Sequence, residues 1–88
     1  MIVVRIYRER GDAAPRKREL LHRSTFSTTS GKRLTAGRAA QFIKSHFPEF
    51  TPAVIRTDEG WEASRAVKPL KRVNYQYVWE HLVLSEDP

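Results

Sequence analysis

Apolar and polar residues alternate at the start of the chain, and this period of two predicts a β-strand over residues 2–8. Its more apolar face would carry Ile2, Val4 and Ile6, and β-branched residues favour a strand over a helix here. A second strand is predicted over residues 19–28. One of its faces would carry Leu20, His22, Ser24 and Phe26.

A period of 3.6 residues replaces the alternation in the middle of the chain and predicts a helix over residues 36–47. Thr35 is placed to cap its first turn, and Pro48 disfavours helical geometry at the preceding residue. The apolar stripe of this helix would consist of Ala36, Ala39, Ala40, Ile43 and Phe47.

Alternation returns after the helix and predicts a hairpin, with strands at residues 53–57 and 61–67 joined by a turn at Gly60. Residues 73–84 fit two patterns. As a helix they would present a short apolar stripe, but their tyrosines, valines and Trp79 favour a strand. The acidic residues 85–88 are expected to form a frayed tail.

The predicted order is therefore β-β-α-β-β-β, an α+β fold. Short connections join most of the strands, so the sheet should be mainly antiparallel, with the helix packed on one face. Eighty-eight residues are enough for a single compact domain, spanning 1–88, and no internal repeat is visible.

The composition narrows the functional classes. The chain has no cysteine, which excludes disulfides and thiolate metal sites. No apolar run reaches the length of a membrane span, and the first ten residues lack the order of a signal peptide, so we expect a cytoplasmic protein. Net charge is +6, and residues 1–38 alone carry ten Lys or Arg against three Asp or Glu. This surplus predicts attraction to polyanions, the alternative being a solubilising surface.

The positive charge is concentrated around a predicted basic loop at residues 9–18 and near the start of the helix. Guanidinium groups suit phosphates and carboxylates because they form paired hydrogen bonds. Tyr7 is the aromatic residue expected at the surface, whereas Trp61 and Trp79 are expected in the core. The predicted binding residues, expected to converge at one end of the sheet and along one edge, are Arg5, Tyr7, Arg8, Arg10, Arg16, Lys17, Arg18, Arg23, Lys32, Arg33 and Arg38.

Motifs for catalysis, metals or cofactors are lacking in the sequence. The histidines are not spaced as metal ligands, and no phosphate-binding loop or nucleophile motif is present. We therefore expect a non-enzymatic binding protein without cofactor or metal, whose partner is a nucleic acid or an acidic nucleoprotein surface. The alternative is a small ribonuclease toxin of a toxin–antitoxin module, using His22 with Arg23, or Glu80 with His81.

The architecture resembles that of small phage-encoded anti-CRISPR proteins. The resemblance lies in the opening strand IVVRIYR, the helix segment LTAGRAAQFIKSHF and the hairpin AVIRTDEGWEASRAV. It implies a stand-alone inhibitor that acts sterically, by occupying a nucleic-acid or protein-docking surface on an RNA-guided complex. It assigns no particular binding residue.

Overall fold

The computed structural model describes residues 1–10, 18–27, 33–67 and 78–86, and it confirms the α+β fold with the order β-β-α-β-β-β. The elements are β1 (Ile2–Arg10), β2 (Arg18–Phe26), α1 (Ala36–His46), β3 (Ile55–Thr57), β4 (Gly60–Val67) and β5 (Val78–Glu86). Within the described ranges, no helix has the length and apolar composition that crossing a bilayer requires.

All five strands form one antiparallel sheet in the order β2-β1-β5-β4-β3. The first and last strands of the chain are therefore neighbours at its centre, with Ile2 opposite Glu86 and Arg10 opposite Val78. This pairing removes β1 and β5 from the edges and brings residues from both ends of the sequence together.

One face of the sheet, which we call the helix face, packs against α1. Ile2, Val4, Leu82 and Leu84 are buried there together with Ile43 of the helix. The helical stripe is confirmed at its centre, while Ala36 is exposed because it lies in the first turn, beyond the core. The cap is confirmed as well, since the Thr35 hydroxyl accepts a hydrogen bond from the backbone of Arg38.

The last strand settles the ambiguity between strand and helix for residues 78–84, because β5 pairs with a strand on each side. Residues 73–77 lie outside the described ranges. β3 covers only Ile55–Thr57 of the strand predicted over 53–57, and β2 ends at Phe26 rather than at residue 28. At two other boundaries the strands are longer than predicted. Ser85 and Glu86 belong to β5 rather than to a frayed tail, and Glu9, Arg10 and Arg18 of the predicted loop belong to β1 and β2. In each case the pairing of the strands continues past the polar residues at which the apolar pattern ends.

A bulge interrupts the pairing of β1 with β2. His22 lies opposite Ile6 but Leu20 lies opposite Tyr7, so Leu21 is an extra residue in β2. The prediction that Leu20 shares a face with His22 and Phe26 was therefore wrong. The bulge moves Leu20 to the opposite face of the sheet.

Candidate functional site on the polar face of the sheet

The face opposite α1, which we call the polar face, receives alternate residues from every strand. The cross-strand register assigns to it Val3, Arg5, Tyr7 and Glu9 from β1, Arg18, Leu20, Arg23 and Thr25 from β2, Ile55 from β3, Glu62, Ser64 and Ala66 from β4, and Trp79, His81, Val83 and Ser85 from β5. Val3 and Val83 are buried, and Glu62 and His81 are only 8% exposed. Ionisable groups therefore lie in a largely desolvated part of this face.

Those predicted cations that lie in the described ranges do not all gather at one end of the sheet. Arg18 pairs with Glu9 near the end of β1, whereas Arg33 lies beside Leu34, whose N–H donates to Glu86 at the other end. At ~3.3 Å per residue, β1 alone separates these ends by about 26 Å. The polar face carries four of the predicted binding residues, Arg5, Tyr7, Arg18 and Arg23. The helix face carries Arg8, the last residue of β1 is Arg10, and the start of α1 carries Arg33 and Arg38. The remaining three, Arg16, Lys17 and Lys32, lie outside the described residues.

Two of these cations are direct neighbours. Arg5 of β1 and Arg23 of β2 are opposite each other in the register. Arg5 donates to the Ser85 hydroxyl at 3.2 Å, and neither guanidinium forms an ion pair with a described carboxylate. Like charges at directly opposite positions are unfavourable. An anion bound between them would remove this repulsion.

Next to this arginine pair, the polar face carries aromatic and apolar side chains. Tyr7 is half-buried, and Leu20 opposite it is 50% exposed. On the next strand Trp79 is 41% exposed, so the prediction that it packs in the core was wrong. It lies on the face opposite α1, in the register of Glu9, where the helix cannot cover it. Trp61, by contrast, packs against the core as predicted.

An ion pair spans the polar face. Arg18 Nη1 lies 2.6 Å from Glu62 Oε1, although β1 and β5 stand between their strands in the sheet order. Such a contact requires the sheet to curve toward this face, which makes the face concave. Because Glu62 is nearly buried, Arg18 supplies the charge that its carboxylate needs. The ion pair therefore both neutralises Glu62 and holds together two strands that are not neighbours in the sheet.

A hydrogen-bonded chain lies beside that pair. His81 Nε2 is 3.1 Å from Glu9 Oε2, and His81 Nδ1 is 2.6 Å from Ser64 Oγ. A carboxylate only accepts, so Nε2–H donates to Glu9, and the second ring nitrogen, Nδ1, shares a hydrogen bond with the Ser64 hydroxyl. Among the described residues, no buried side-chain nitrogen or oxygen lacks a partner.

Neither pair proposed for the ribonuclease alternative comes together. Glu80 and His81 are adjacent in β5, and His22 and Arg23 are adjacent in β2, so the members of each pair point to opposite faces. Glu80 instead binds Arg65 on the helix face at 2.6 Å, and exposed His22 bonds to the Ser24 hydroxyl. The partners that His81 actually has lie far from it in the sequence.

A second concavity lies at the opposite end of the sheet, where β3 turns into β4. It has a volume of about 470 Å³, and its lining includes Arg33, Arg56, Asp58, Glu59 and Trp61. We call it the turn cleft. Its lining also includes Ser85, whose hydroxyl accepts a hydrogen bond from Arg5, so the cleft adjoins the arginine pair. The cleft was not predicted from the sequence.

The described residues contain no group of three or more histidine or carboxylate side chains placed to hold a metal ion. Comparison with protein-family models, with curated proteins and with solved structures finds no match to this chain.

Proposed function

We propose that this protein is a non-enzymatic binding module that engages single-stranded nucleic acid through the polar face. The observation that carries the proposal is the Arg5–Arg23 pair, two arginines at directly opposite positions of β1 and β2, neither of which has a carboxylate partner among the described residues. A phosphate between them would accept hydrogen bonds from both. The same phosphate would turn a like-charge repulsion into an attraction.

Stacking supplies the second part of the proposal. Tyr7 and Trp79 are diagonal neighbours on adjacent strands, a spacing of about 7–8 Å. Exposed aromatic rings on a sheet offer stacking platforms to unpaired bases, worth ~1–3 kcal/mol for each base. Leu20 extends this apolar strip toward the edge of the sheet. A duplex keeps its bases stacked inside, so this arrangement favours a single strand.

The environment of His81 supports binding over catalysis. Both ring nitrogens already have partners, in Ser64 and Glu9, and the side chain is almost excluded from solvent. In-line displacement at phosphorus needs an acid and a base on opposite sides of the reacting group. Glu9 and His81 are hydrogen-bonded to each other at 3.1 Å, which leaves no room for a phosphate between them.

The same face can act in the setting that the resemblance to anti-CRISPR proteins suggests. There it would compete with, or cover, the nucleic acid of an RNA-guided complex in the cytoplasm. An acidic protein surface would then meet the same arginines.

Binding of a labelled single-stranded oligonucleotide, followed by fluorescence anisotropy over a range of salt concentrations, tests the proposal. Replacing Arg5 and Arg23 by alanine should reduce the slope of log K against log salt by about 0.7, since the one phosphate that they share contributes ~0.7 for a single strand. The matched control is a variant in which Arg38 and Lys44, two exposed cations of α1, are replaced by alanine. It removes the same amount of positive charge. Its slope should stay close to that of the wild type.

Three results would contradict this function. Equal losses in both double variants would mean that only net charge matters. Absence of strand binding at low salt, with retained binding to an acidic protein surface, would assign the face to a protein partner. Cleavage of RNA that is abolished by His81→Ala would replace the binding module by the ribonuclease alternative.

A further inference from the structure

The turn cleft carries charged groups that the proposed function does not use. Arg33 and Arg56 form no ion pair with the carboxylates that line the same space, namely Asp58, Glu59 and Glu86. Because these oppositely charged groups do not pair with one another, they remain available to a ligand in the cleft. That space, about 470 Å³, falls in the range of small-molecule sites.

On one wall of the cleft, an arginine side chain lies over an aromatic ring. The Arg56 guanidinium lies over the Trp61 ring, 5.2 Å from its centroid, and the Trp61 indole N–H donates to the carbonyl of Leu34 at 3.2 Å. This hydrogen bond fixes the ring, and the ring in turn holds the planar guanidinium. The outer surface of Arg56 is exposed. A flat guanidinium of this kind is a platform on which a nucleobase stacks.

The carboxylates of the β3–β4 turn supply the second element of recognition. Asp58 and Glu59 occupy the two turn positions between Thr57 and Gly60 at the mouth of the cleft, and both are exposed. Carboxylates only accept hydrogen bonds, so they favour a base edge that presents N–H donors. Guanine presents an N1–H and an adjacent amino group on one edge, whereas adenine presents only its amino group there.

We propose that the turn cleft binds a guanine nucleotide. The base stacks on Arg56, its donor edge faces Asp58 and Glu59, and Arg33 binds the phosphate. The net negative charge of the lining makes the base, rather than the phosphate, the main determinant of affinity. A free nucleotide and a terminal guanosine of a strand share this chemistry, so both serve as probes.

Isothermal titration of the full-length protein with GMP, guanosine and AMP tests the proposal, with Trp61 fluorescence in a Trp79→Phe background as a second readout. GMP should bind saturably, and AMP more weakly. Asp58→Asn combined with Glu59→Gln should reduce GMP affinity about tenfold or more, the loss expected for hydrogen bonds to charged groups. The same variant should hardly change AMP binding.

Variants of the arginines separate the two ends of the ligand. Arg33→Ala should weaken GMP but not guanosine, and Arg56→Ala should weaken both. Lys44→Ala, which removes an exposed charge from α1, is the matched control and should leave GMP binding unchanged. Tighter binding of an oligonucleotide with a terminal 5′-phosphoguanosine than of GMP would identify a strand end as the ligand, and the reverse would identify the free nucleotide.

Two results would overturn the turn cleft as a guanine site. One is absence of saturable binding for GMP and for the guanosine-ended strand at millimolar concentration. The other is binding that persists unchanged in all of the cleft variants. Neither depends on Arg5 or Arg23, so this site and the polar face can fail independently.

Discussion

Two glycines predict stability changes of opposite sign for the same substitution. Gly60 opens β4 with φ +142°, and a Cβ built there would lie 2.0 Å from the carbonyl oxygen of Leu84. Gly37 lies in the first turn of α1, and a Cβ there meets nothing within 4 Å. Gly60→Ala is therefore expected to be strongly destabilising, and Gly37→Ala mildly stabilising.

The size of each effect follows from these geometries. An L-residue in the positive-φ region costs ~1–3 kcal/mol, and displacing the packed Leu84 backbone costs a further ~1–3 kcal/mol. Gly60→Ala should thus lower the free energy of unfolding by about 4 kcal/mol, a large part of the ~5–15 kcal/mol available to a domain. Gly37→Ala should raise it by ~0.5–1 kcal/mol, because alanine loses less backbone entropy than glycine in a helix.

Urea unfolding followed by circular dichroism measures both variants against the wild type. At ~4–8 °C per kcal/mol, Gly60→Ala should also lower the melting temperature by about 15–30 °C. Unchanged m-values would show that the same surface is buried in all three proteins. A Gly60→Ala protein within about 1 kcal/mol of the wild type would refute the close approach of β4 to β5 from which the magnitude is derived.

Further variants test the core and the polar face through the same unfolding measurement. Leu82→Ala, at a fully buried position of the helix face, should cost ~2–5 kcal/mol, and a loss below 1 kcal/mol would contradict its place in the core. His81→Ala removes the partner of two side chains and should cost ~1–3 kcal/mol, whereas exposed His22→Ala should be nearly neutral; equal effects would argue against the buried chain. Glu62→Gln weakens the contact with half-exposed Arg18 and should cost ~1–2 kcal/mol, an effect that a variant as stable as the wild type would disprove.

Local patterns in the sequence were sufficient to predict the elements. Alternation predicted β1, and the 3.6-residue period with the Thr35 hydroxyl predicted α1 and its first residue. For β5, whose segment fitted two patterns, the residue types favoured the strand that the structure has. These features depend on residues close together in the chain. The same is true of Gly60, whose turn position was predicted from the sequence and whose φ is positive.

The candidate site depends on contacts that no local pattern reports. Glu9 and His81 are 72 residues apart and meet only because β1 and β5 are neighbours at the centre of the sheet. The exposure of Trp79 follows from which face α1 covers, and amphipathic alternation alone does not determine that choice. Cations from separate early segments were expected to converge at one end of the sheet and along one edge, but the described ones lie near both ends of β1, which are about 26 Å apart.

The extra residue at Leu21 also affects how the edge of the sheet meets other molecules. In a regular strand, every second residue turns its backbone N–H and C=O outward, and a second copy can align with that row. The additional residue shifts this alternation by one, so the outward groups above and below Leu21 fall out of step. A strand of identical sequence placed beside β2 could form regular backbone hydrogen bonds with the residues before Leu21 or with those after it, but not with both. β2 is thereby protected against open-ended stacking of copies into fibrils, while its exposed side chains remain accessible.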